Sequence, residues 1–347
     1  MKLLIITQKV DRLDPVLGFF HGWIRELSRH YEKISVICLE KGEYNLPNNV
    51  VVYSLGKPET GWPVAFLGRI LSKSCALYTF YRLIIGKTDD YDAVFVHMNA
   101  EYVVWAGPWW RFKGKKIGLW YNHTVGSWAL KIAAWVADIL MYTSPFAYTS
   151  RYRQAVQMPA GINTDIFQPE PSVSKKDPLV YFQGRISKAK RVDILLDAYD
   201  HLRALVPTAR LELAGPVDHK YVAPLLTKYS NYIADGGIVF LGPQSYENTP
   251  ELFRRALVTV NLTADGNYDK TVLESLACGV PVIVSSRAFV DAPVIKIEAA
   301  EAGVLASALA TILERESCIN SEKCVQYVRN RHSLETLAEK IYNIMHR

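Results

Sequence analysis

The chain has 347 residues, half of them hydrophobic, which excludes a disordered polymer and favours two packed domains over one. Its net charge of +6 is modest and accompanies no nucleic-acid-binding motif, so a nucleic-acid partner is not expected. Five cysteines in no usual zinc spacing, an N-terminal apolar run too short for a secretion signal and the lack of any run of ~20 apolar residues favour a cytoplasmic protein with reduced thiols.

Short apolar runs alternate with stretches of helical period in both halves of the chain. Runs this short and continuous predict parallel strands buried on both faces, with helices completing βα units. Two such sets predict two doubly wound α/β domains. The runs are Leu3–Thr7, Ile34–Leu39, Val50–Ser54, Ala93–His97, Ile117–Tyr121 and Ile139–Tyr142, then Leu179–Gln183, Arg210–Ala214, Ile238–Leu241, Leu257–Leu262 and Pro281–Val284.

Gly, Asn, Pro, Ser and Lys cluster between residues 161 and 178, which predicts a linker there. We therefore divide the chain into an N-terminal domain, residues 1–165, and a C-terminal domain, residues 166–332. The tail, residues 333–347, begins with an N-cap candidate at Ser333 and continues with helical apolar spacing. We expect this helix to pack back onto the N-terminal domain.

The excess positive charge lies in the N-terminal half. Residues 1–160 carry 19 Lys and Arg against 12 Asp and Glu, whereas residues 161–347 carry 21 against 22. Basic and aromatic residues mix from Trp62 to Lys87 and from Trp105 to Lys116, as on surfaces that rest on a membrane. Ordinary amphipathic helices covering a core give the same pattern.

The loop Gly184–Arg191 places Arg185 and Lys190 between an apolar run and a helix. Cations at this position oppose the helix macrodipole unless an anion binds, so the pattern favours a diphosphate site. Solvated surface charges are the alternative. Glu274 stands at the start of a second helix, which ends in Gly279-Val280-Pro281. It is suited to accept hydrogen bonds from a ribose, although a glutamate at a helix start is stabilising without any ligand.

Four segments follow one another in the second half of the chain: Gly184-Arg185-Ile186 with Lys190, Leu211–Pro216, Ile238–Pro243 and Asp269–Ile283. In this order they resemble the family 4 retaining glycosyltransferases. The looser matches are Gly18, as the glycine loop after the first strand, and Gly161–Phe167, as the link between domains. The resemblance implies the GT-B fold, in which two Rossmann-like doubly wound domains face each other across a deep cleft.

The resemblance also implies roles for single residues. Arg185 and Lys190 would neutralise the diphosphate of a nucleotide sugar, and Glu274 would bind its ribose. The remaining donor-binding candidates are the loop glycines Gly18 and Gly184, Gln244 beside the base, and Lys270 and Thr271, whose backbone amides would meet phosphate and sugar. His123 follows an N-domain strand and would lie near the reacting sugar, although a lone histidine is more often structural.

One position departs from the family pattern. Gly266 stands where the family has a second Glu, eight residues before Glu274. Asp265 is the nearest carboxylate and is a candidate to replace it, but Asp265-Gly266 is also a plain turn signal.

These features predict a retaining glycosyltransferase of the hexosyltransferase type that needs neither a metal nor another cofactor. Its expected partners are a nucleotide sugar and a glycan or lipid-linked acceptor. The basic patches add a possible peripheral location on the anionic inner face of a membrane. A nucleotide-sugar 2-epimerase and a non-catalytic glycosyltransferase-like binding protein remain as alternatives.

Overall fold

The computed structural model describes residues 1–56, 66–173, 178–266, 268–315 and 320–347, with the backbone alone for 66–73 and 315. Two compact units are present: unit 1 combines Met1–Gly161 with Leu334–Arg347, and unit 2 is Ile162–Ser333. The division expected from the sequence falls after residues 165 and 332. Part of the basic aromatic stretch, including Trp62, and part of the expected linker lie outside the described residues.

Unit 1 contains a parallel sheet in the order β3-β2-β1-β4-β5-β6-β7. Its central strands are continuously apolar; all five side chains of β4, for example, are buried. The strands are β1 (Lys2–Val10), β2 (Lys33–Lys41), β3 (Val50–Ser54), β4 (Ala93–His97), β5 (Lys116–Trp120), β6 (Ile139–Tyr142) and β7 (Ala155–Gln157).

Helices cover both faces of this sheet. On one face, α2, α3 and α4 share a hydrophobic core with the strands. On the other face, α1 and α12 pack together, and Leu337, Ile341 and Met345 of α12 are fully buried there. The helices are α1 (Gly18–Leu27), α2 (Phe66–Gly86), α3 (Ala100–Phe112), α4 (Trp128–Val136) and α12 (Leu334–His346).

Unit 2 contains a second parallel sheet in the order β10-β9-β8-β11-β12-β13. Its strands are β8 (Leu179–Gln183), β9 (Arg210–Ala214), β10 (Ile238–Gly242), β11 (Val258–Asn261), β12 (Val282–Val284) and β13 (Ile295–Lys296). Its helices are α5 (Val192–Leu205), α6 (His219–Lys228), α7 (Ser230–Ala234), α8 (Thr249–Arg255), α9 (Lys270–Ala277), α10 (Ala302–Arg315) and α11 (Ser321–His332).

In both sheets, the order in which strands are added reverses at the first strand of the unit. In unit 1 the chain proceeds outward from β1 to one side and returns to β4 on the other, and in unit 2 it does the same from β8 to β11. In open parallel sheets, ligands bind in the crevice beyond the carboxyl ends of the strands at such a switch point. The loops that follow β1, β4, β8 and β11 are therefore the expected ligand-binding loops.

All eleven apolar runs singled out in the sequence are strands of these sheets. The two edge strands β7 and β13, of three and two residues, had no comparable signal. The predicted C-terminal helix is present as α12, where Leu334 lies beside Gly22 of α1.

Candidate functional site

The loop that follows β8 lies against the loop that follows β9. Gly184 donates its N–H to the carbonyl of Ala214 at 2.9 Å, and Ile186 donates to Pro216 at 2.8 Å. A Cβ atom on Gly215 would lie 2.0 Å from the Gly184 carbonyl oxygen, and both glycines have positive φ angles, 140° and 152°. Only residues without a side chain fit this close approach, which fixes the start of the predicted phosphate-binding loop.

Arg185 follows Gly184 and is exposed at the tip of this loop. Its guanidinium forms no hydrogen bond or ion pair within the part of the chain that the structure describes. The loop then continues through a short 3-10 turn, Lys188–Lys190, and a left-handed residue, Arg191, before α5 begins at Val192. The predicted cations thus precede α5, and none of them lies within it.

Lys190 belongs to a polar network that joins the two loops at the switch point of unit 2. Its Nζ lies 2.6 Å from Asp269 Oδ2 and 3.0 Å from Thr263 Oγ1. The hydroxyl of Thr263 donates to the same carboxylate oxygen at 2.6 Å, and Asn261 Nδ2 donates to it at 2.9 Å. The side chains of Lys190 and Asp269 are each about one-fifth exposed.

Electrostatics and burial oppose each other at Asp269. Burial alone would raise its pKa, but the Lys190 ammonium and the hydrogen bonds from Thr263 and Asn261 outweigh burial and hold the pKa below its usual value. Asp269 is therefore ionised at neutral pH, and it orients the Lys190 ammonium at the carboxyl end of β8.

Glu274 is buried and lies one turn inside α9, which begins at Lys270. The expectation that it occupies the first turn is therefore wrong by one turn, because Lys270 to Leu273 already form that turn. Burial raises the pKa of Glu274 and lowers that of Lys270, while the attraction between the two charges opposes both shifts. Its carboxylate makes no hydrogen bond with any residue described. Thr271 at the start of the helix accepts a hydrogen bond from Asn261 at 3.4 Å.

Asp265 is held by a neighbouring loop. It accepts from the backbone N–H of Arg287 at 2.8 Å and from its Nε at 2.7 Å, and these contacts lower its pKa. Gly266 follows with φ of 98°, a conformation that a glutamate would adopt only with strain. The loop therefore has a backbone suited to glycine where the family pattern has a Glu.

Gln244 lies after β10, where its Nε2 donates to the carbonyl of Leu241 at 2.8 Å. The structure brings Lys190, Thr271, Lys270 and Glu274 together around the start of α9. Gln244 and Asp265 occupy other loops at the carboxyl side of the same sheet.

Two predicted residues belong to unit 1. Gly18 begins α1 and is buried, and its N–H already donates to the Asp14 carbonyl at 3.0 Å. The loop before it is held by Lys9, whose ammonium contacts Asp11, Asp14 and Glu40 within 3.3 Å. His123 lies beyond β5 and is exposed, with its ring edge-on to Tyr121 at 5.2 Å.

Sequence reasoning left Asn261, Thr263 and Asp269 out of the site. A signal for them exists, because Asn261 is the last residue of β11 and the other two follow it closely. Polar residues at the end of a buried parallel strand point into the switch-point crevice. Among the described residues, no group of three or more His, Cys, Asp or Glu side chains is placed to hold a metal ion.

The fold and the site define a class of protein with two Rossmann-like units and, in the second, a polar network around Lys190 at the switch point of the sheet. In fold, the chain is similar to the Anabaena protein Alr3699/HepE, solved in complex with UDP and glucose, with a TM-score of 0.76 and 16% identity over 100% of this chain and 99% of that one. It is equally similar to the sucrose-phosphate synthase of Thermosynechococcus elongatus, with a TM-score of 0.75 and 16% identity over 100% and 98%. Both establish the GT-B fold predicted from the sequence.

The match to a protein family lies in the second unit. Residues 163–331 match the model of the family described as glycosyl transferases group 1, and this segment is nearly all of unit 2. This match confirms the predicted resemblance to glycosyltransferases. A curated relative, the D-inositol 3-phosphate glycosyltransferase of Stackebrandtia nassauensis, is 29% identical over 146 residues, or 37% of this chain. The aligned segment spans about a third, 32%, of that relative.

Proposed function

We propose that the protein transfers a sugar from a nucleotide-diphosphate sugar to a hydroxyl group of an acceptor. The observation that carries this proposal is the network at the unit 2 switch point, where Asp269 and Thr263 hold the Lys190 ammonium beside a glycine loop that presents Arg185. Two cations carried by one backbone loop fit a diphosphate, because charge-assisted hydrogen bonds to phosphate oxygens are strong.

The donor would be bound by both sides of this crevice. Arg185 and Lys190 neutralise the diphosphate, and the N–H groups at Lys270 and Thr271 lie at the start of α9, where a helix favours an anion. Glu274 accepts hydrogen bonds from the ribose hydroxyls, since its carboxylate makes no hydrogen bond with the described residues, although the Lys270 charge attracts it. Gln244 lies beside the base. Since HepE was solved with UDP, uridine nucleotides are the first donors to test.

The reaction exchanges one bond at the anomeric carbon for another. The bond from that carbon to the diphosphate oxygen breaks, the acceptor oxygen forms the new bond, and the acceptor proton passes to the departing diphosphate. Arg185 and Lys190 stabilise the negative charge that develops on this leaving group. We further propose that attack occurs on the face from which the diphosphate departs, so that configuration is retained, and that no metal ion is required.

An acceptor with an apolar portion fits unit 1. A cavity of about 550 Å³ lies between α2, α3 and the carboxyl ends of the strands, and its lining is mainly apolar. Asn99 also lines it, and its Nδ2 is buried without a hydrogen-bond partner among the described residues. A lipid-linked glycan precursor would offer both an apolar chain and a polar group for that amide. The apolar lining comprises Leu39, Leu55, Ala76, Leu77, Phe80, Tyr102 and Trp105.

The test uses the full chain with a panel of nucleotide sugars, beginning with UDP-sugars, and measures nucleotide release with and without glycan acceptors. Arg185→Ala and Lys190→Ala should each lower kcat/KM by about 10²–10³-fold. Lys188→Ala, an exposed lysine of the same loop, is the matched control and should stay within about twofold of the parent. Equal turnover in all three variants would remove the diphosphate assignment.

The same assay separates the alternatives. Conversion of the donor sugar without an acceptor would identify an epimerase, and nucleotide binding without turnover would identify a non-catalytic protein. Turnover abolished by EDTA and restored by Mg²⁺ would overturn the metal-independent reaction.

A further inference from the structure

The two helical faces of unit 1 differ in what they show to solvent. On the face of α1 and α12, the apolar side chains of α12 are turned into the core, and its exposed positions are polar or charged, as with Glu335 and Glu339. On the opposite face, α4 has a single charged residue, Lys131, in the sequence Trp128-Ala-Leu-Lys-Ile-Ala-Ala-Trp-Val136. A helix this apolar usually lies inside a protein.

The outer side of α4 is nevertheless exposed. Trp128, Ile132 and Trp135 are exposed by 67%, 46% and 88%. Their spacing of four and three residues places them on one side of the helix. The three side chains therefore form a continuous apolar stripe.

A second stripe lies on the adjacent helix. Trp105 and Phe112 of α3 are exposed by 44% and 78%. The carboxyl-terminal parts of α3 and α4 are in contact, because a Cβ on Gly107 would meet Val136 and because Arg111 Nε donates to the Val136 carbonyl at 2.8 Å. The exposed residues Trp105, Phe112, Trp128, Ile132 and Trp135 are defined here as the α3–α4 surface.

The segment that carries this surface has an excess of positive charge. Residues 100–136 contain five cations and one acid, Glu101. Lys113 Nζ lies 4.9 Å from the centre of the Trp109 ring and 5.5 Å from that of Phe112, and Lys131 is exposed within the α4 stripe. Arg111 contacts Asp138 at 3.4 Å, so one charge of the group is partly offset. The cations are Arg111, Lys113, Lys115, Lys116 and Lys131.

We propose that the α3–α4 surface docks onto a bilayer containing anionic lipids. Tryptophan rings suit the boundary between headgroups and acyl chains, and lysines beside them reach lipid phosphates while their stems stay in apolar surroundings. A second copy of the chain fits less well, because a twofold interface would bring this excess of cations against itself. The described helices include none that is both long and apolar enough to cross a membrane. The proposal does not depend on the transfer reaction.

Co-sedimentation of the full chain with lipid vesicles tests the proposal. Vesicles of phosphatidylcholine with about 30% phosphatidylglycerol should bind the protein, and vesicles of pure phosphatidylcholine should bind it at least ten times more weakly. Trp128→Ser with Trp135→Ser should weaken partitioning at least tenfold. Lys113→Glu and Lys131→Glu should each weaken it by about fivefold or more, since one cation near an anionic surface contributes ~1 kcal/mol.

Matched controls lie on unit 2. Leu205→Ser removes an exposed apolar side chain, and Lys323→Glu reverses an exposed lysine; both should bind vesicles like the parent. Thermal unfolding verifies that each variant folds. Equal binding to both vesicle types, or unchanged binding by the double tryptophan variant, would overturn the proposal. The proposal would also be overturned if the parent formed a dimer and bound no vesicles, and if the double tryptophan variant were a monomer.

Discussion

The ion pair between Lys190 and Asp269 should couple the two loops of the unit 2 crevice. Replacing Asp269 by Asn keeps the shape of the side chain but removes its charge, and replacing Lys190 by Met keeps the aliphatic stem but removes the ammonium. Each single change leaves the other ion in a largely buried position without its partner. The double variant Lys190→Met with Asp269→Asn leaves neither ion.

The magnitude follows from burial and from the hydrogen bonds. Breaking a fully buried pair costs about 3–5 kcal/mol, and one-fifth exposure of both side chains reduces this to about 2–3 kcal/mol. Unit 2 has about 170 residues, for which 1 kcal/mol shifts Tm by roughly 2–4 °C. Each single variant should therefore lower the unit 2 transition by about 4–12 °C. The double variant should be little worse than either single variant, with a coupling free energy of about 2 kcal/mol.

Calorimetry of the parent and the three variants measures these values, and nucleotide binding by the same proteins reports on the crevice. The pKa of Asp269 is lowered in the folded state, so its contribution is complete above the ordinary value of 3.8 and is lost as pH falls through the lower folded value. The difference between parent and Asp269→Asn should thus be constant from pH 5 to 8 and shrink only below about pH 4. Additive losses in the double variant would refute the coupling.

Two further outcomes are expected. Burial raises the pKa of Glu274 from 4.5 to about 7, and the ribose needs the ionised carboxylate, so nucleotide affinity should fall as pH drops from 8 to 6. Titration calorimetry should show that Glu274→Gln binds nucleotide weakly at every pH. A pH profile like that of the parent in this variant would contradict the ribose assignment. Gly215→Ala should destabilise unit 2 by at least about 3 kcal/mol, because its Cβ would meet the Gly184 carbonyl at 2.0 Å. The control Gly303→Ala, on α10 with open space around its Cβ, should be neutral or stabilising by up to about 1 kcal/mol in urea unfolding; equal effects would show that the loop relaxes.

The parallel sheets could be predicted because their strands are continuous apolar runs. β4 is buried along its whole length, and its five residues carry the signal without help from the rest of the chain. The edge strand β13 has two residues, one of them the exposed Lys296, so its pairing with β12 depends on tertiary contacts that no local pattern encodes.

Side-chain partners were less predictable than loop positions. The cations of the 184–191 loop could be identified from their type and placement, but the contact of Lys190 with Asp269 joins residues 79 positions apart in the sequence. The exact start of α9 was also missed, since Asp269 and Lys270 are both compatible with a loop or a first turn. In the sequence, Asp265 was compatible both with a donor-binding carboxylate and with a turn residue. Its partner Arg287 lies 22 residues further along the chain.

Unit 1 is built from two stretches of chain that translation separates by the whole of unit 2. Leu337, Ile341 and Met345 complete the core beneath α1, yet the ribosome supplies them only after residues 162–333. Unit 2 can consequently reach its native state during synthesis, whereas one face of the β1–β7 sheet, covered by α1 alone, stays partly exposed until α12 emerges. Chaperone dependence and misassembly of nascent chains should therefore concentrate in unit 1, whose first strands are synthesised before unit 2 but whose folding is completed after it.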